Sequence, residues 1–153
     1  MPLHQESRIL PYTAEQMYAV VADVKHYPEF LPWCSKLVVR KHEKKGVIEF
    51  ITAEMVISYH ALHERYVSVV RLDPISRTIE AGHVEGPFRR LDTNWRFVPL
   101  ETGSEVHFRI EFAFKSALLS AIANVGFGYV ASRMAEAFVQ RAHALYGLDN
   151  PKK

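Results

Sequence analysis

Eight histidines, one cysteine and a run of lysines are the side chains in this 153-residue sequence most able to do chemistry. His60-Ala61-Leu62-His63-Glu64 places two imidazoles three residues apart beside a carboxylate. On a strand, an odd spacing turns the two rings to opposite faces, so they could not share one metal ion. The string is also not the H-E-x-x-H of a helical zinc site. Cys34 stands alone, which excludes an internal disulfide framework and a cysteine-based zinc finger. It follows Trp33 at an apolar corner, where a buried and inert thiol is expected. No G-x-S-x-G offers another nucleophile. Gly126-Phe127-Gly128-Tyr129-Val130-Ala131 fits the G-x-G-x-x-A of dinucleotide sites. No strand immediately precedes it, however, and too little chain follows for a second βαβ strand, so it reads as part of a helix. The residues thus predict no catalytic group, no metal and no catalytic cofactor.

Two surface features remain. Lys36, Arg40, Lys41, Lys44 and Lys45 fall within ten residues, with Glu43 the only acid among them. They read as a solvated hairpin tip, or as a phosphate-contacting surface for RNA or an anionic membrane. No aromatic platform interleaves with them, which weakens the single-stranded RNA reading. The net charge of +2 is too small to argue for nucleic-acid binding. The second feature is apolar excess in connections, at Tyr27-Pro28-Glu29-Phe30-Leu31-Pro32-Trp33 and at Gly86-Pro87-Phe88. Polar residues are normal in such places, so these segments are either core or the wall of a pocket.

The elements that must position these residues follow from periodicity. With 48% hydrophobic and 24% charged residues, the chain can build an ordinary core. Leu3 to Leu10 reads as a strand ended by Pro11. Thr13-Ala14-Glu15-Gln16 is a capping box, and Met17, Val20, Val21 and Val24 continue it as an apolar stripe that Tyr27-Pro28 should stop. About six strands follow between Cys34 and Lys115, and Val106, Phe108, Ile110, Phe112 and Phe114 alternate without a miss. Short connections predict antiparallel neighbours. Ser116 then caps a long helix closed by Gly147, with Phe127, Met134, Phe138 and Leu145 on one face. A bend or close approach is expected at Gly126 and Gly128. Arg141, at the edge of the apolar face, is the one charged candidate for a pocket edge. The pattern is an α+β domain over residues 1–147 with a short tail, 148–153. The opening residues lack the apolar core of a signal peptide. The uncharged stretch Ser116–Ser132 is short for a membrane span, so a cytoplasmic protein is expected.

Val21-Ala22-Asp23-Val24-Lys25-His26-Tyr27-Pro28-Glu29-Phe30-Leu31-Pro32-Trp33-Cys34 resembles the hallmark segment of the coenzyme Q-binding START-like family. Gly86-Pro87-Phe88-Arg89-Arg90-Leu91, Trp95-Arg96-Phe97, Ile110 to Ser116 and Ala137 to Gly147 are similar to its later motifs, in order. The resemblance implies a helix-grip fold, with a curved seven-stranded antiparallel sheet wrapped around the C-terminal helix and enclosing a hydrophobic cavity. It implies that ubiquinone or a similar polyprenyl lipid is bound there, in support of respiratory electron transport and with transient contact to the inner membrane surface. Phe30, Leu31, Pro32, Trp33, Phe88, Trp95, Phe127, Met134 and Phe138 are the lipid-binding residues it suggests. The same family includes a ribosome-association toxin that binds the large subunit and blocks subunit joining, as well as polyketide aromatase/cyclases. Both stand as alternatives.

Overall fold

The computed structural model describes residues 3–59 and 62–147. The order is β1 (Leu3–Leu10), α1 (Ala14–Ala22), a 3-10 turn (Val24–His26) and α2 (Tyr27–Phe30), then six strands and a helix. The strands are β2 (Cys34–Lys45), β3 (Ile48–Tyr59), β4 (Leu62–Asp73), β5 (Thr78–Glu85), β6 (Phe88–Leu100) and β7 (Gly103–Phe114), and α3 spans Ala117–Tyr146. All seven strands form one sheet in the order β1-β7-β6-β5-β4-β3-β2, each antiparallel to its neighbours. Two-residue alternation on β7 buries Val106, Phe108, Ile110, Phe112 and Phe114 on the face that meets the helices. The helix-grip arrangement is therefore present, with α3 packed on β7, α1 and α2.

Thr13 caps α1 as a capping box, accepting from the Gln16 amide while the Gln16 side chain accepts from Thr13 N–H. Met17, Val20, Val21 and Val24 are all buried. The helix nevertheless stops earlier than the proline predicts. Asp23 leaves the helical region at φ −83° and ψ 66°, and Pro28 instead sits in the first turn of α2, where its missing N–H costs no hydrogen bond. The Tyr27 hydroxyl donates to the Val21 carbonyl and folds this short helix back on α1.

Three further expectations change. Leu145 is 39% exposed, because in the last turn of α3 it is Ala142 and Tyr146 that face the core, the latter 6.1 Å from the Tyr12 ring. Gly128 lies open to solvent, with nothing near a would-be Cβ, so it allows no close approach. The opposite-face argument for His60 and His63 presumed one continuous strand, whereas β3 ends at Tyr59 and β4 starts at Leu62. His60 lies outside the described residues, as does the tail 148–153. His63 is exposed, with its Nδ1 2.7 Å from Ser58 Oγ.

Candidate functional site

Between the sheet and α3 lies a cavity of about 220 Å³. Its floor is aromatic and aliphatic: Val70 and Ile79 from β4 and β5, Trp95 from β6, and Phe108 and Ile110 from β7, all buried. Trp95 stacks on Phe108 with ring centres 4.3 Å apart, and Phe138 of α3 meets Trp95 edge-on at 5.0 Å. Its other end is formed where β4 begins, β7 ends and the α2–β2 loop crosses. There the lining residues Pro32, Trp33, Glu64, Phe127 and Val130 are only partly buried, which marks the opening.

Eight of the nine residues suggested for lipid binding stand on this wall: Leu31, Pro32, Trp33, Phe88, Trp95, Phe127, Met134 and Phe138. Trp33 reaches it through a left-handed backbone, φ 66°, a conformation unusual for so large a residue. Its carbonyl accepts from the Ser58 amide at 2.8 Å, tying the loop to β3. Phe30 does not line the cavity. It packs behind Phe138 at 5.4 Å, with the Arg141 guanidinium 5.1 Å from its ring centre. Arg141 is not a pocket-edge group either, since it reaches toward Glu29 at 3.8 Å and stays outside the lining.

The basic residues lie elsewhere. All five are on β2, an edge strand whose far end at Lys45 is about 36 Å of strand from Cys34. Arg40 pairs with Glu54 at 2.7 Å, Lys41 with Glu43 at 3.0 Å, and Lys45 stands over the Phe50 ring. Lys36 and Lys44 are exposed on the same strand. Charge along an unpaired edge discourages another chain from adding a strand there.

Several polar lining residues escaped the sequence reading: Cys34, and Glu64, Tyr66 and Ser68 on β4. The β4 trio occupies alternate positions and so faces inward together. Both faces of β4 mix polar and apolar residues, with Arg65, Val67 and Val69 on the other side, so periodicity gave no sign of which face was inside. The Tyr66 hydroxyl donates to the Met55 sulfur at 3.2 Å, and its ring meets Phe88 edge-on at 5.3 Å. Gly86 makes this placement feasible, because a Cβ there would come within 2.6 Å of Tyr66 Cβ. Burial pushes the phenols of Tyr66 and Tyr27 well above the ordinary tyrosine range, and both stay neutral donors. Burial likewise pushes the Cys34 thiol up to about 11, so the nucleophilic thiolate is scarce at neutral pH.

Among the described residues, no group of three or more His, Cys, Asp or Glu side chains is placed to hold a metal ion. No described helix is long and apolar enough to cross a membrane. A second hollow of about 610 Å³ lies on the outer sheet face, where Glu6, Glu80, Arg96, His107 and Arg109 mix both signs of charge in an open groove. The inner cavity is smaller but apolar and largely walled, and it is the better ligand site.

Comparison with known proteins places the chain. Residues 10–139 match the family described as polyketide cyclase/dehydrase and lipid transport. A protein of Xenopus laevis named coenzyme Q-binding protein COQ10 homolog B, mitochondrial, is 38% identical over 149 residues. The match covers 94% of this chain and 59% of that relative, so the chain spans well under two thirds of its length. The ribosome association toxin RatA of Rickettsia prowazekii is 34% identical over 142 residues, covering 90% of this chain and 94% of the toxin. The solution structure of an 18 kDa protein from Caulobacter crescentus superposes with a TM-score of 0.79 at 36% identity, covering 96% and 99% of the two chains. By sequence match and by fold, this chain belongs to the family of polyketide cyclase/dehydrase and lipid-transport proteins.

Proposed function

We propose that this protein binds ubiquinone or a similar polyprenyl lipid in the cavity between the sheet and α3, and serves as a non-catalytic carrier or chaperone for respiratory electron transport. The observation that carries this reading is the cavity wall, which combines aromatic and aliphatic side chains from six strands and α3 with a few inward hydroxyls. Such a wall suits a ligand that is mostly hydrocarbon yet bears oxygen. Burial of apolar ligand surface contributes roughly 25 cal/mol per Å². The 38%-identical relative named as a coenzyme Q-binding protein supports the same ligand class. Organic-solvent extraction of the purified protein, followed by absorption spectroscopy and mass measurement, tests it. A prenyl-quinone recovered near stoichiometry is the expected result. Its absence, together with no uptake on reconstitution, would overturn the reading.

A second reading rests on a different observation. The lysine-rich edge β2 is a plausible surface for ribosomal phosphates, and a 34%-identical relative is named a ribosome association toxin. Salt-sensitive co-sedimentation with large ribosomal subunits would favour it.

A further inference from the structure

The cavity is small for the ligand class proposed above. At about 220 Å³ it falls below the roughly 300–1,000 Å³ typical of small-molecule pockets. A six-membered ring with its substituents fits that space, whereas a polyprenyl chain of many isoprene units does not. One end of the lipid must enter and the other must remain outside.

The distribution of polar atoms decides which end enters. On β4, Glu64, Tyr66 and Ser68 face inward in succession from the opening, and Val70 takes over beyond them. Tyr66 and Ser68 are both more than nine-tenths buried, at 9% and 6% exposure. Among the described residues, the hydroxyl of Tyr66 has only the thioether of Met55 as acceptor, at 3.2 Å, and thioether sulfur is a weak one. A purely hydrocarbon guest would leave both hydroxyls with nothing better. A guest oxygen beside them recovers hydrogen bonds that burial has otherwise made costly to forgo. The carboxylate of Glu64 at the opening accepts and cannot donate when ionised, so it repels a phosphate-bearing head group and tolerates an uncharged one.

We propose that the cavity takes the uncharged, carbonyl-bearing ring of its lipid and leaves the chain outside, with Tyr66 Oη and Ser68 Oγ donating hydrogen bonds to the ring oxygens. This rests on the quinone reading above and specifies how that ligand is recognised. The chain leaves past Pro32 and Trp33.

The test uses the full chain and a series of ubiquinone analogues, from the bare dimethoxy-methyl-benzoquinone ring to progressively longer prenyl chains. Binding is read by tryptophan fluorescence and by the shift in Tm. The bare ring should bind, and lengthening the chain beyond the first isoprene units should add little. Tyr66→Phe keeps the aromatic wall and should weaken ring binding roughly 3- to 10-fold, with Ser68→Ala acting in the same direction. The matching dimethoxytoluene, which lacks the carbonyl oxygens, should bind wild type and Tyr66→Phe equally. If long-chain quinones bind while the bare ring does not, and neither substitution alters their affinity, the ring-inward arrangement is overturned and the quinone reading stands. If quinones of no length bind wild type, both fall together.

Discussion

Phe138 concentrates the packing of the site in one side chain. It is 3% exposed and meets Tyr27, Phe30 and Trp95 edge-on at 5.3, 5.4 and 5.0 Å. It is thus both cavity wall and core. Phe138→Ala should cost about 3–5 kcal/mol with or without ligand, because its neighbours cannot collapse into the void. Trp33 differs, since it is only partly buried, on a loop, and lines the opening. Trp33→Ala should destabilise the ligand-free protein clearly less, yet shrink the ligand-induced rise in Tm, which follows RT ln(1 + [L]/Kd). Val106 on β7, buried and outside the lining, should lose stability on truncation with its ligand-induced shift intact. A melting series of the three variants with and without short-chain quinone checks all of this. Equal shifts in wild type and Trp33→Ala would remove the indole from the site.

At the scale of elements, β2 and β4 divide the labour. β4 lies inside the sheet and turns a polar stripe toward the cavity, whereas β2 is an edge and turns charge toward solvent. Lys41, Lys44 and Lys45 are about 23, 33 and 36 Å of strand from Cys34 of the lining, beyond the reach of a screened charge in 0.15 M salt. Replacing Lys41, Lys44 and Lys45 by Glu should leave quinone uptake unchanged. If β2 is a phosphate-binding surface, the same variant should lose ribosome or anionic-vesicle association, and the wild-type association should fall steeply with salt. Loss of quinone from a folded triple variant would contradict the separation of the two regions.

Across the whole molecule, ion pairs close the grip. Glu6 of β1 lies 2.7 Å from His4 and 2.6 Å from Arg8, and Arg8 also reaches Glu136 on α3. Partial burial raises the Glu6 pKa, but the hydrogen bonds from His4 and Arg8 outweigh it and hold the carboxyl below its ordinary 4.5. Glu136 is held below 4.5 by Gln140 and Arg8. A depressed carboxyl contributes stability above its unfolded value and loses it as pH falls through the folded one. The urea midpoint should therefore decline below about pH 4.5, and Glu6→Gln should flatten that decline. At the other extreme, burial raises Cys34 from 9.0 to about 11 and Tyr18 from 10.0 to about 12. Their stabilisation is complete below the unfolded values and is lost as pH rises through the folded ones. A second decline should begin near pH 9–10. A midpoint unchanged from pH 3 to 11 would show that these groups titrate alike in both states.

The strict alternation of β7, the capping box at Thr13 and the uncharged run opening α3 were sufficient to specify an α+β domain of antiparallel strands closed by a long helix, and the family resemblance implied the grip. Each of the three is a local pattern whose period is set by backbone geometry. The motif around Tyr27 to Cys34 was likewise enough to suggest a cavity wall, because so many apolar residues have no place in an exposed connection. Three things depended on packing. β3 ends at Tyr59 and β4 begins at Leu62, yet Ser58 to Leu62 carries no Gly, Pro, Asn or Asp, so no local signal announced the break. Phe30 and Arg141 stand outside the lining because of contacts between α2 and α3, Phe30 on Phe138 and the Arg141 guanidinium over the Phe30 ring and toward Glu29, which form only when the two helices dock. The inward face of β4 was decided by its place between β3 and β5, since a strand mixed on both faces has no side that its own residues choose. That tertiary choice aimed Tyr66 and Ser68 at the cavity.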